Sequence, residues 1–289
     1  MTGETYVSTG AFRTRDLPEI LEAAAGAGLH RLELSSGVAF RPDLRDGVRR
    51  YLGRPHRYLV HNYFPPPETP FVLNLASNDP ETLARSRAHC EGALDLAAEV
   101  GAPFYSVHSG FALHATPEQL GRPLGAAPAF PYEEAYAIFV ESVRHLAAYG
   151  AGRGVRFLVE NNVVAPFNLA RGGNRWLLMA EAGELLRLAR DVASANLGFL
   201  VDVGHVNVSA RSLGFDRRAF VEAVAGHVAA FHLSDNDGAA DDNRPFDGAA
   251  WFVPLLREFP GAAVVIEAYR LELAQIRACA AVVEAARAR

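Results

Sequence analysis

The sequence predicts a single (β/α)8 TIM barrel, and three observations carry the prediction. Short apolar runs biased toward β-branched and aromatic residues recur about eight times along the 289 residues. A segment with helical spacing follows each of them. Six of the runs end on a carboxylate or an imidazole: His61, His108, Glu160, Asp202, His232 and Glu267. Strands alternating with helices imply a parallel sheet. Eight such units over roughly 250–290 residues is the size of a closed barrel with its active site at the C-terminal rim. No linker or shift in composition divides the chain, so residues 1–289 are expected to form one domain.

Residues 5–9 read as the first strand. Asp16 stands as N-cap before Leu17-Pro18-Glu19, which puts a carboxylate in the first helical turn. Leu17, Ile20, Leu21 and Ala24 keep helical spacing until Gly26 and Gly28 end it. Residues 30–34 form the second strand, an arginine-rich helix covers about 42–52, and the third strand ends at His61. The three prolines of Asn62-Tyr63-Phe64-Pro65-Pro66-Pro67 exclude both strand and helix. Asp79 caps a long helix over about 80–100, and the fourth strand is 104–108. The irregular stretch 109–131 comes next; loops this long inside compact domains are usually functional or mobile. The rhythm then becomes regular: helix 132–149, strand to Glu160, helix 176–192, strand to Asp202, helix 217–225, strand to His232, a shorter helix near 249–258, strand to Glu267, and a final helix.

Composition narrows the function classes. Half the residues are hydrophobic and 21% are charged, which suits a full core and excludes disorder. Two cysteines, neither in a CxxC, suit a reducing compartment without disulfides. The N-terminus lacks the basic start and apolar segment of a signal peptide. No apolar run reaches the ~18 residues needed to span a bilayer. A cytoplasmic protein without membrane contact is expected, with the possibility of a homo-oligomer left open. There is no lysine anywhere, so Schiff-base chemistry, pyridoxal phosphate attachment and a phosphate-loop lysine are excluded. The net charge of −5 and pI near 6.1 argue against a nucleic-acid partner.

The chemistry is expected at the rim. A carboxylate at one strand end is often only a helix cap, and one histidine is usually a satisfied polar group. Glu160, Asp202, His232 and Glu267 at equivalent positions on converging strands can together surround one divalent ion. Such an oxygen-rich set accepts Mn2+, Mg2+, Co2+ or Zn2+, and added histidines tilt it toward zinc. His205 follows Asp202 by a tight turn, as a ligand or a substrate-binding group. His61 and His108, on neighbouring strands, either bind a second ion bridged by Glu160 or hold substrate hydroxyls. Arg244, the basic group in the acidic loop 233–244, is a candidate for gripping an anionic oxygen. Arg171 and Arg175, before a helix N-terminus, could bind a phosphate.

His61, His108, Glu160-Asn161, Asp202-Val203-Gly204-His205, His232-Leu233-Ser234-Asp235 and Glu267, in this order, resemble the xylose isomerase-like barrel superfamily. The resemblance covers nearly the whole chain. That superfamily holds sugar isomerases and epimerases, related dehydratases, and the endonuclease IV nucleases of abasic sites. The epimerase branch implies one divalent ion on Glu160, Asp202, His232 and Glu267, with Glu160 and Glu267 as the acid–base pair and a small sugar or hydroxy-ketone as substrate. The nuclease branch implies His61, His108 and His205 as further ligands in a three-zinc cluster, with an Asp-x-His in the loop after the seventh strand. Here that loop reads Asp241-Asp242-Asn243, and a neutral amide is a poor zinc ligand. Residues 73–77 are also similar to a stretch of the nuclease family. A barrel that binds a sugar or polyol without turning it over is the third reading.

Overall fold

Alternation along each strand decides which residues face the barrel axis. The computed structural model describes residues 3–35, 37–51, 56–125, 127–170 and 173–288. Its strands are β1 (Thr5–Ser8), β2 (Arg31–Leu34), β3 (Arg57–His61), β4 (Phe104–His108), β5 (Arg156–Glu160), β6 (Leu197–Asp202), β7 (Val228–Leu233) and β8 (Ala263–Ile266). All pair in parallel in chain order, and β1 pairs with β8 to close the barrel. The helices are α1 (Leu17–Gly26), α2 (Leu44–Tyr51), α3 (Pro80–Glu99), α4 (Tyr132–Ala151), α5 (Ala182–Val192), α6 (Val203–Leu213), α7 (Arg217–Val224) and α8 (Leu273–Arg287).

Two apolar layers result. Outward residues such as Val60, Val107, Phe157, Val159, Phe199 and Phe231 pack against the helices in the large outer core. Truncating a fully buried phenyl ring there, Phe157 for example, costs roughly 3–5 kcal/mol. Inward residues form a separate plug across the barrel: Tyr6, Leu59, Phe104, Leu158, Leu200, Ala230 and Val265. Two residues further along each of these seven strands the inward position is polar: Ser8, His61, Ser106, Glu160, Asp202, His232 and Glu267, all buried. The barrel therefore has a dry floor with a polar layer directly above it.

The connections differ from the regular expectation in three places. Residues 176–181 are not helical, and α5 begins only at Ala182. The Asn174 side chain accepts from the Leu177 amide (3.0 Å) and donates to its carbonyl (2.6 Å), a local turn that competes with a helix. Glu181 and Glu184 then form the capping box that starts α5. The tight turn expected after Asp202 is the first turn of α6, whose N-cap is Asp202 itself, accepting from the His205 amide at 2.7 Å. Two helices, α6 and α7, thus separate β6 from β7. Between β7 and β8, where a helix was expected, only a 3-10 turn, Val253–Arg257, is present, with Pro254 inside it and Pro260 just beyond. The second helix, expected over 42–52, spans Leu44–Tyr51, its last expected residue lying outside the described residues.

The proline-rich segment after β3 folds back onto α3. The Tyr63 ring stacks on His89 (5.2 Å between centroids) and its hydroxyl accepts from the Phe71 amide at 2.7 Å. Burial pulls the His89 imidazole down to about 4, against a backbone hydrogen bond with Asn62 that favours its charged form. A folded pKa below the unfolded value means that unfolded chains bind more protons between pH 4 and 6.5, so stability is lost as pH falls through that window. The shift from 6.5 corresponds to at most roughly 3 kcal/mol. His89→Gln is expected to flatten the dependence of denaturation midpoint on pH between 6.5 and 4; an unchanged slope would remove His89 as its source.

Candidate metal centre

The polar layer brings four buried side chains from four strands to one point. Ligand atoms of Glu160, Asp202, His232 and Glu267 lie within 4.8 Å of one another. His232 Nδ1 stands 2.5 Å from Glu267 Oε2, 3.6 Å from Glu160 Oε1 and 3.9 Å from Asp202 Oδ2. His232 Nδ1, both Glu160 oxygens and Asp202 Oδ2 have these charged neighbours but no contact with the geometry of a full hydrogen bond. Buried polar atoms left unpaired normally cost about 1–3 kcal/mol each. Here they face each other instead of partners, an arrangement that a shared cation satisfies.

Around this set His61 and His205 are each anchored by one nitrogen and present the other. His61 Nδ1 bonds Ser106 Oγ (2.9 Å), leaving Nε2 at 3.3 Å from His108 Nε2 and 3.5 Å from Glu160 Oε2. His108 Nε2 is 3.2 Å from the same oxygen, so His61, His108 and Glu160 form a second candidate ligand group. His205 Nδ1 donates to the Asn161 carbonyl (2.8 Å), which leaves Nε2 facing Asp241 Oδ2 at 3.3 Å and Asp202 Oδ2 at 3.8 Å. Asn161 in turn clamps Asp202 by accepting from its amide (2.8 Å) and donating to its carbonyl (3.2 Å).

The charges report the same concentration of acids. Burial pushes Asp202 up to about 7, and Glu33 also to about 7, with the His205 and His232 imidazoles pulling the other way. Glu160 is equally buried, but the imidazoles of His108 and His232 more than offset this and hold its carboxyl well below the usual range. Burial drives His61 far below its ordinary value. His205 and His232 go the opposite way: burial opposes their charge, and carboxylates, Asp202 and Asp241 for the one and Glu267 and Glu33 for the other, more than restore it. The protein alone balances its acids with protons on histidine, and a divalent cation would replace those protons.

Of the other residues singled out by sequence, Asp241 joins the cluster through His205. Asn243 donates to Asp241 Oδ2 at 3.0 Å, so the residue standing where a histidine ligand would be needed positions an acid instead. Arg244 is not brought to the cluster: its exposed guanidinium is engaged by Asp242 and, at 3.4 Å, by Asp237. Arg171 lies outside the described residues, and Arg175 is exposed.

Sequence reasoning missed Glu33, Ser106 and Tyr269. Glu33 is fully buried on β2, and its Oε2 accepts from His232 Nε2 at 3.0 Å. That bond fixes the tautomer that leaves Nδ1 free for a ligand role. Its signal was an acid flanked by Leu32 and Leu34 inside a strand. The Tyr269 hydroxyl donates to Glu267 Oε1 at 3.1 Å. Glu33→Ala is expected to weaken divalent-cation binding about 10–100-fold, with Glu33→Gln recovering part of the loss. Titration calorimetry checks it, and equal affinity in all three proteins would make Glu33 a bystander.

A closed parallel barrel with acids and imidazoles converging at its C-terminal rim defines the class of a rim-site (β/α)8 protein. Residues 21–284 match the family model described as "Xylose isomerase-like TIM barrel", and the chain belongs to that family. Among solved structures it is similar to a D-tagatose 3-epimerase-like protein (17% identity, TM-score 0.73, covering 99% of this chain and 98% of that one). It is also similar to the TTHB071 protein from Thermus thermophilus soaked with zinc chloride (22%, 0.64, 99% and 99%). A third is the 3-keto-D-glucoside 4-epimerase of E. coli (13%, 0.69, 99% and 100%). At the level of sequence no curated protein matches the chain.

Proposed function

We propose that the protein is a divalent-metal-dependent isomerase or epimerase of a small sugar or hydroxy-ketone, with Glu160 and Glu267 as its acid–base pair. The observation that carries this reading is the set of unpaired, buried polar atoms on Glu160, Asp202 and His232 facing Glu267. Sugar epimerases among the similar structures support the substrate class. A cation held by these four residues supplies Lewis-acid polarisation of a carbonyl and its neighbouring hydroxyl.

The chain's own residues do the rest. Glu160 and Glu267 come from strands three apart around the barrel, and in this reading they take opposite faces of a planar group. One removes the proton next to the carbonyl and the other returns a proton to the opposite face, which inverts that carbon. Each carboxylate has a second tether: Tyr269 donates to Glu267 Oε1, and His61 and His108 approach Glu160 Oε2. His108 and His205 line the open cavity and can hold substrate oxygens. The nuclease reading finds less support, because Asn243 is committed to Asp241 and no arginine among the described residues lines that cavity.

The test is to incubate the cation-loaded protein with ketoses, inososes and hydroxypyruvate in deuterated water. Deuterium should enter the position next to the carbonyl of some substrate. No exchange on a broad panel, together with nicking of an abasic-site duplex, would replace this reading with the nuclease.

A further inference from the structure

The cavity above the cluster is larger and more apolar than a free sugar requires. Its volume is about 620 Å3, within the roughly 300–1,000 Å3 of pockets that hold drug-sized ligands. His108, His205 and Asp241 line it, so it is continuous with the candidate metal centre. The remainder of its wall is dominated by Phe71, Phe111, Leu120, Leu124, Phe167 and Leu177. Part of this wall is braced from behind. Phe111 and Leu177 are bridged across two loops, the Ala112 amide bonds the Trp176 carbonyl at 2.7 Å, and Leu124 and Leu177 belong to a satellite apolar cluster of their own. Phe167 and Leu120, by contrast, are 46% and 51% exposed at this cavity. Large apolar side chains left open to water beside a polar site gain burial only when something apolar covers them.

We infer that the cavity is a subsite for an aryl group carried by the substrate, next to the sugar or hydroxy-ketone part that reaches the cluster. Three phenylalanines favour a flat ring over a chain, because aromatic pairs gain about 0.5–1.5 kcal/mol beyond area burial. The charged and titratable groups lining it include His108, His205, Asp241 and Asp242, with no cation among the described residues apart from imidazole. That lining offers a phosphate no guanidinium and suits a neutral aryl group on a keto-sugar. The inference rests on the proposed function for its sugar end only.

The experiment compares methyl, octyl and phenyl glycosides of one keto-sugar, each with a free ring ketone, by titration calorimetry on the full chain. Phenyl should bind at least about tenfold tighter than methyl, given that a single apolar methylene already discriminates roughly 10–200-fold in fitted pockets. Phe167→Ser and Leu120→Ser change exposed residues, so folding is not at stake, and each should shrink the phenyl-to-methyl ratio. An equal affinity for methyl and phenyl, an octyl preference, or a ratio untouched by both variants would overturn the aryl subsite. A matched proton-exchange assay separates the two readings. Aryl binding without exchange on any keto-sugar would remove the epimerase and keep the subsite. Exchange on a free keto-sugar as fast as on the matching aryl glycoside that keeps a free ring ketone would keep the epimerase and remove the subsite.

Discussion

Glu160→Gln is expected to lower substrate proton exchange by at least about 10³-fold, since a positioned acid or base alone contributes roughly 10²–10⁴-fold. Glutamine keeps the shape of the side chain and removes both its basicity and one anionic donor. His61, His108, His205 and His232 all approach Glu160, so the substitution removes the one carboxylate at the point where four imidazoles converge. Glu267→Gln should fall comparably, with the Tyr269 bond surviving on its carbonyl oxygen. Measured kcat/KM and solvent deuterium incorporation decide the point. If either variant exchanges within about tenfold of wild type, that residue is not half of an acid–base pair.

Asp202→Ala and His232→Ala should abolish the response of the protein to divalent cations. For the native chain, ligand at about 100 times its dissociation constant stabilises by about 2.7 kcal/mol. At roughly 2–4 °C per kcal/mol for a chain of this size, that is a rise of about 5–10 °C in melting temperature. The variants should show none of it while their circular dichroism stays native, and elemental analysis should find them depleted of metal. An equal rise in all three proteins would place the cation elsewhere. Acid should weaken binding in the native chain. Asp202, raised to about 7, and His232, raised well above its ordinary value by Glu267 and Glu33, must both give up a proton to serve, so affinity falls as pH drops from above neutrality, by up to about tenfold per unit for each proton displaced.

Much of this was legible in the chain because strand parity leaves a trace in sequence. Leu158 and Glu160, Leu200 and Asp202, or Ala230 and His232 each stand two apart, and an apolar run ending on a ligand type marks the rim without any knowledge of pairing. Glu33 escaped for the same reason: it sits one residue short of the end of β2, and an acid inside a strand looks like an exposed face until its neighbours are known. The boundaries that failed were decided by side chains talking to backbone, as with Asn174, whose turn overrides the helical spacing that follows it. Arg244 shows a different limit: its loop holds several carboxylates, and the sequence does not say that Asp237 and Asp242 are the ones that pair with it.

The apolar plug and the polar layer above it also set what kinds of change the gene can absorb. Each strand writes its contribution in a two-letter alphabet, inward or outward, with no spacer. Deleting a single codon within β5 would exchange the two faces, turning Glu160 toward the helices and Val159 into the floor of the site, although every amino acid type would remain present. Substitutions in a strand are therefore negotiable one at a time, whereas insertions and deletions behave like frame errors. The rim loops carry no such parity, and new lengths can accumulate there while the ligand set stays intact.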